Sequence, residues 1–211
     1  MPRGQTPTTT SYATLGLLAV QPWSTYELTN QIRRSLARFW PRAASKLYEE
    51  PRKLVALGYA TAETQHQGRR RRTVYSITPE GRRALAAWLA TTGAAPALES
   101  EPILRVFLAD QGSRRDLLTT IASIRAWARE QAVLDAAIAR EHLGGSGPFP
   151  ERLPVNTLVG RYLSEISDAT ERWADWAGEV VRSWPDDMSG LPVDTAALKV
   201  IADRDPAVRD G

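Results

Sequence analysis

The chain has 211 residues, of which 43% are apolar and 24% charged, and a formal net charge of +3 at pH 7; this is ordinary globular composition and excludes bulk disorder. The absence of cysteine excludes disulfides, thiolate nucleophiles and cysteine-ligated zinc, and the two histidines, His66 and His142, have no ligand-spaced partner, so no metal and no other cofactor is expected. No apolar run approaches the roughly 18 residues that cross a bilayer, and the first seven residues lack the apolar core of a signal peptide, so the expectation is a cytoplasmic protein without a membrane partner.

Residues 1–9, rich in Pro and Thr, read as a flexible arm. Residues 11–20 follow a Thr/Ser cluster able to cap and carry Leu15, Leu17, Leu18 and Val20, which predicts a short buried helix ended by Gln21-Pro22-Trp23. A second helix opens at Ser24, whose side chain and that of Glu27 have capping-box spacing; Leu28, Ile32 and Leu36 follow along one face. Arg33, Arg34 and Arg38 fall off that face, either as a solvated surface or as phosphate contacts.

Phe39-Trp40-Pro41 breaks the second helix, and residues 41–57 predict a third. Ala44, Leu47, Tyr48, Leu54 and Val55 recur at helical spacing and should pack inward, leaving Arg42, Ser45, Lys46, Glu49, Arg52 and Lys53 outward. This is the candidate recognition helix: Arg and Lys donate to guanine O6 and N7, Ser donates or accepts, and a helix N-terminus favours phosphate. Glu49 and Glu50 either neutralise Arg52 or Lys53 or accept from a cytosine amino group. Pro51 should cost about 3 kcal/mol inside a helix or force a kink.

Gly58 stands where a helix ends with positive φ, and residues 59–64 and 73–78 alternate as two strands, with Tyr75 and Ile77 on one face of the second. Between them, Gln65-His66-Gln67-Gly68-Arg69-Arg70-Arg71-Arg72 looks too long and too charged for a tight turn. Its four arginines repel one another and should extend into solvent, where a hairpin tip beside a helix suits DNA phosphates or the minor groove. Pro79 opens a further helix through Leu85, Trp88 and Leu89. The fold class expected is mainly α with a small β-hairpin: a winged helix-turn-helix domain over residues 10–92, followed by a helical dimerisation and effector domain over 93–184 and a weakly ordered tail over 185–211.

In that second part, residues 102–109 predict a short helix, Ser113 caps a long one to about residue 143, and Gly144-Gly145-Ser146-Gly147-Pro148 breaks the chain. The last long helix, residues 155–183, sets Leu158, Tyr162, Ile166, Ala169, Trp173, Trp176 and Val180 at spacings of 4, 4, 3, 4, 3 and 4, a heptad-like seam. Two such helices carry more apolar stripe than one hairpin hides, which favours a homodimer through Leu158, Tyr162, Ile166, Trp173, Trp176 and Val180. Trp127, Trp173 and Trp176 are core residues by spacing, or an aromatic pocket for a flat or cationic effector. In the tail, residues 195–201 predict one short helix.

Residues 1–90 hold 14 Lys and Arg against 5 Asp and Glu, net +9, and residues 91–211 hold 13 against 19, net −6. The basic part suits a polyanion, the acidic part pairing or sensing. Leu47-Tyr48, Leu54, Leu57-Gly58-Tyr59, the basic wing and Val74-Tyr75-Ser76-Ile77-Thr78-Pro79-Glu80-Gly81 together closely resemble the PadR family of bacterial transcription regulators, over roughly residues 10–90. The remainder is similar to that family in layout only. The resemblance implies a homodimer that binds double-stranded operator DNA, represses a nearby operon and in some members is released by a small molecule. It also implies DNA contacts from Ser45, Lys46 and Tyr48 and from the wing at Arg69, Arg70, Arg71 and Arg72. Pro51 departs from the family pattern. Nothing in the sequence assembles a catalytic constellation, so an enzyme is not expected; the alternative is a sequence-tolerant architectural DNA-binding protein.

Overall fold

The computed structural model describes residues 6–41, 49–67 and 70–204, and the chain divides into two compact units, Met1–Pro96 and Ala97–Gly211. The first unit runs α1 (Thr9–Val20), β1 (Trp23–Ser24), α2 (Thr25–Ser35), α3 (Glu49–Ala56), β2 (Ala60–Gln67), β3 (Arg70–Ile77) and α4 (Pro79–Leu89). Its core is built where α1, α2 and α3 meet: Leu15, Leu18, Leu28, Ile32 and Leu54 are fully buried. α1 begins earlier than the sequence suggests. Thr8, expected in a loose arm, caps it by a reciprocal capping box with Ser11, which satisfies donors that the first turn otherwise leaves without partners.

The predicted capping box of α2 is formed, with Glu27 N–H donating to Ser24 Oγ at 3.3 Å and Ser24 N–H to Glu27 Oε2 at 2.8 Å. The sheet has three antiparallel strands in the order β1-β3-β2 rather than two. β1 pairs Trp23 with Tyr75 and Ser24 with Val74, making β3 a central strand, so both Val74 and Tyr75 are buried. The hairpin also differs from expectation. β2 and β3 stay in register from Ala60↔Ile77 to Gln67↔Arg70, leaving two residues, 68 and 69, between the paired ends. In this register Arg70, Arg71 and Arg72 pair with Gln67, His66 and Gln65 of β2.

Two parts of the sequence separated by about 20 residues interlock at the base of the hairpin. Gly58 adopts φ +74°, which turns the chain out of α3; Thr78 N–H then donates to Tyr59 O at 3.0 Å and Thr78 Oγ1 to Gly58 O at 2.7 Å. Gly81 must lack a side chain, because a Cβ there would lie 2.1 Å from Tyr59 O. The Leu57-Gly58-Tyr59 and Thr78-Pro79-Glu80-Gly81 motifs are thus the two sides of one joint. Pro51 is fully buried in the first turn of α3, where a helix needs no backbone donor and the cost of an interior proline does not arise.

The second unit contains α5 (Glu101–Phe107), a 3-10 turn (Ala109–Gln111), α6 (Arg114–Leu143), a second 3-10 turn (Pro150–Arg152), α7 (Leu153–Arg182) and α8 (Thr195–Ala202). Ser113 caps α6 by accepting from Asp116 N–H at 3.1 Å. Leu117, Ile121, Ile124, Ala174, Ala177 and Val181 form the contact between the two long helices. Arg125–Asp175 at 3.1 Å and Arg129–Glu171 at 2.6 Å fix their opposed direction. Among the described residues no helix is long and apolar enough to cross a membrane.

Candidate nucleic-acid interface

Of the predicted DNA-contacting residues, Arg42, Ser45, Lys46 and Tyr48 lie outside the described residues. Their flanks are defined. On the entry side, Trp40 Nε1 donates to Thr10 Oγ1 at 3.2 Å. On the exit side, α3 turns Glu50, Pro51 and Leu54 inward and leaves Glu49 and Arg52 exposed and Lys53 partly exposed. Glu50 does not do what its position in a charged run suggests. It is 3% exposed and accepts a 2.6 Å hydrogen bond from Ser11 Oγ, so it is neither a neutralising neighbour of Arg52 or Lys53 nor an acceptor for a base.

The wing arginines, equivalent in sequence, are not equivalent in the fold. Arg69 and the side chain of Arg70 lie outside the described residues. Arg71 is exposed and donates to Thr64 Oγ1 at 3.5 Å. Arg72 lies against its own unit: Nη2 donates to Gln65 Oε1 at 3.2 Å and Nη1 stands 3.9 Å from Glu27 Oε1. Its Nε is buried without a partner among the described residues. Glu27 is thereby a shared node. Hydrogen bonds from Ser24 hold its carboxyl below the usual glutamate range, and the Arg72 guanidinium adds to that shift.

In the second unit the predicted seam of α7 is not the stripe that packs inside the chain. Ser167, Ala174, Ala177, Gly178 and Val181 face inward. Leu158, Tyr162, Ile166 and Trp176 remain 73%, 57%, 39% and 48% exposed. Trp173 and Val180 are half-buried, and Trp173 packs with Trp184 against the unit's own core. On α7 mostly small residues therefore face inward, against the larger Leu117, Ile121 and Ile124 of α6, while its own large residues stay at the surface. Trp127 and Trp176 are about half exposed, and a separate open hollow among the described residues is lined by Arg114, Arg115, Leu118, Thr119, Ala122 and Asp186.

Among the described residues, four helices around a three-stranded sheet with a hairpin that carries arginines make a winged-helix fold, and a helical unit follows it in sequence. Residues 14–87 match the model of the Transcriptional regulator PadR-like family, so the first unit carries a PadR-like domain. Over 79 residues the chain is 35% identical to the Negative transcriptional regulator PadR of Bacillus subtilis (strain 168), covering 37% of this chain and 43% of that protein. The match thus spans less than half of that relative's length. Among solved structures, Bacillus subtilis PadR in complex with operator DNA is similar with TM-score 0.70 and 22% identity, over 82% of this chain and 99% of that one. The same protein in complex with p-coumaric acid is similar with TM-score 0.65 and 22% identity, over 82% of this chain and 98% of that one.

Proposed function

We propose that the chain is a sequence-specific DNA-binding transcription regulator of the cytoplasm, a homodimeric repressor released from its operator by a small-molecule effector. The observation that carries this reading is the alignment of charge with fold. The winged-helix unit holds nearly all of a sequence segment with net +9, and Arg52 on α3 and Arg71 on β3 are exposed. Base selection falls to Arg42, Ser45, Lys46 and Tyr48, with Arg52 and Lys53 beside them. The wing, Arg69 to Arg72, supplies phosphate affinity, mostly through the residues nearest its tip. Repression follows the relative named a negative regulator.

Dimerisation is assigned to the exposed seam Leu158, Tyr162, Ile166 and Trp176 with Trp173 and Val180 at its border. The domain limits remain 10–92 and 93–184. An aromatic acid is the first effector class to try, since a similar structure holds p-coumaric acid, and Trp127, Trp173 and Trp176 are the side chains offered for it. The deciding experiment selects duplexes from a random-sequence pool with the full chain, then measures affinity across salt concentrations with and without p-coumaric acid. A specific regulator keeps a dissociation constant of about 10⁻⁸ M or tighter for one duplex at physiological salt, while binding to other duplexes weakens to roughly 10⁻⁶ M or worse. Equal affinity for all duplexes would leave a sequence-tolerant architectural protein.

A further inference from the structure

The first turn of α1 holds four hydroxyl side chains in sequence order, and two of them bond across the unit. Thr10 is 7% exposed and Ser11 0%. Thr10 Oγ1 accepts from Trp40 Nε1 at 3.2 Å. Ser11 Oγ donates to Glu50 Oε2 at 2.6 Å while accepting from Thr8 N–H at 2.9 Å, so its single proton and a lone pair are both assigned and the hydroxyl cannot rotate freely. A capping box normally ends in Glu or Gln at the third helical position. Here Ser11 occupies that position, and the carboxylate comes from Glu50, 39 residues away, placed where a helix N-terminus favours negative charge.

Trp40 and Glu50 bracket residues 41–49, the stretch that contains Arg42, Ser45, Lys46 and Tyr48. We propose that the first turn of α1 is the support for the DNA-reading segment: Thr10 fixes its entry through Trp40, and Ser11 fixes its exit through Glu50. These four are positioning residues for sequence discrimination and do not themselves meet DNA. The inference rests on the DNA-reading role proposed above for residues 42–48. Base-edge hydrogen bonds tolerate little displacement, whereas phosphate contacts carry affinity without sequence information. Loosening either anchor therefore costs discrimination first. Affinity for arbitrary DNA, supplied by the wing, is retained.

The test uses the full chain, a duplex that the wild-type protein selects from a random pool, and poly(dI-dC) as the unselected probe. Thr10→Val removes the acceptor of the entry bond with little change of volume, and Trp40→Phe removes its donor together with part of the ring. Each is expected to reduce the ratio of selected to unselected affinity by about tenfold, the scale of one lost base contact, with affinity for poly(dI-dC) unchanged. The double variant should be no worse than Trp40→Phe alone, because Thr10→Val then removes a bond already lost. At the exit, Ser11→Ala should behave likewise, while Glu50→Gln, whose amide oxygen still accepts from Ser11, should retain the wild-type ratio and Glu50→Leu should not. If a Ser11 or Glu50 variant fails to fold, the Thr10 and Trp40 pair decides. Folded variants that all discriminate as wild type, or that lose both affinities equally, overturn the support. A wild-type chain that enriches no sequence overturns the DNA-reading role itself, and the support with it.

Discussion

The two units treat apolar surface in opposite ways. Among the described residues, the large apolar side chains left exposed in the first unit are Tyr26, Phe39 and Leu89; the second exposes twenty, from Leu98 to Ile201. The first unit therefore closes its own core and presents cations, while the second closes one stripe of its long helices and presents another. Exposed apolar side chains on an acidic unit suit a protein contact where they adjoin, just as exposed arginine on a basic unit suits a polyanion.

The comparison is most severely tested by breaking the closed core. Leu54 is wholly buried, and Leu54→Ala should destabilise the first unit by about 2–5 kcal/mol. Its urea midpoint, followed by the fluorescence of a first-unit tryptophan, should fall sharply. A change under about 1 kcal/mol would show that the α1–α2–α3 contact is not the centre of the unit. Ile166→Glu addresses the open face of the second unit. The expected result is an intact fold by circular dichroism with the mass by light scattering halved, and an unchanged mass would place the interface elsewhere. Ile166 is preferable to Trp173 here, because Trp173 also packs against the unit's own core and its loss would confound assembly with stability.

Next in size is the division within the wing. Arg71→Ala should weaken binding to every duplex and lower the slope of log affinity against log salt by about 0.9, one phosphate's share. Arg72→Ala should leave the slope nearer wild type, since its guanidinium is engaged by Gln65 and Glu27. Equal slopes for the two variants would erase the distinction between them.

How much of this could be seen in sequence depended on how local each determinant is. The capping box at Ser24 and Glu27, the turn at Gly58 and the start of α4 at Thr78-Pro79 are set by residues within four positions of one another, and all were legible. β1 was not, because two residues carry no periodicity and become a strand only by pairing with Tyr75 and Val74. Charge along the arginine run predicts a loop, because it carries no information about the register that pairs residues 70–72 with residues 65–67. The role of Glu50 is hidden in the sequence because its partner, Ser11, is 39 residues away. The seam of α7 was legible as a period, yet periodicity alone could not say that the adjacent stripe of Ser167, Ala174 and Ala177 is the one closed within the chain.

The smallest predicted effect isolates the charge at the node joining α2 to the wing. Glu27→Gln keeps the capping-box acceptor for Ser24 N–H and removes the carboxylate that faces Arg72. The folded pKa of Glu27 lies below its ordinary value. Its ionised form is therefore favoured by folding, and the resulting stability is present above the unfolded value of about 4.3 and is lost as pH falls through the folded one. At pH 7 the variant should be less stable than wild type by about 0.5 kcal/mol, kept small because both side chains of the pair are roughly half exposed and screened. Below the ordinary glutamate range the two urea midpoints should converge. A gap that stays constant from pH 7 into that acidic range would mean that folding does not favour the ionised carboxylate, so that neither the Ser24 hydrogen bonds nor Arg72 lower its pKa.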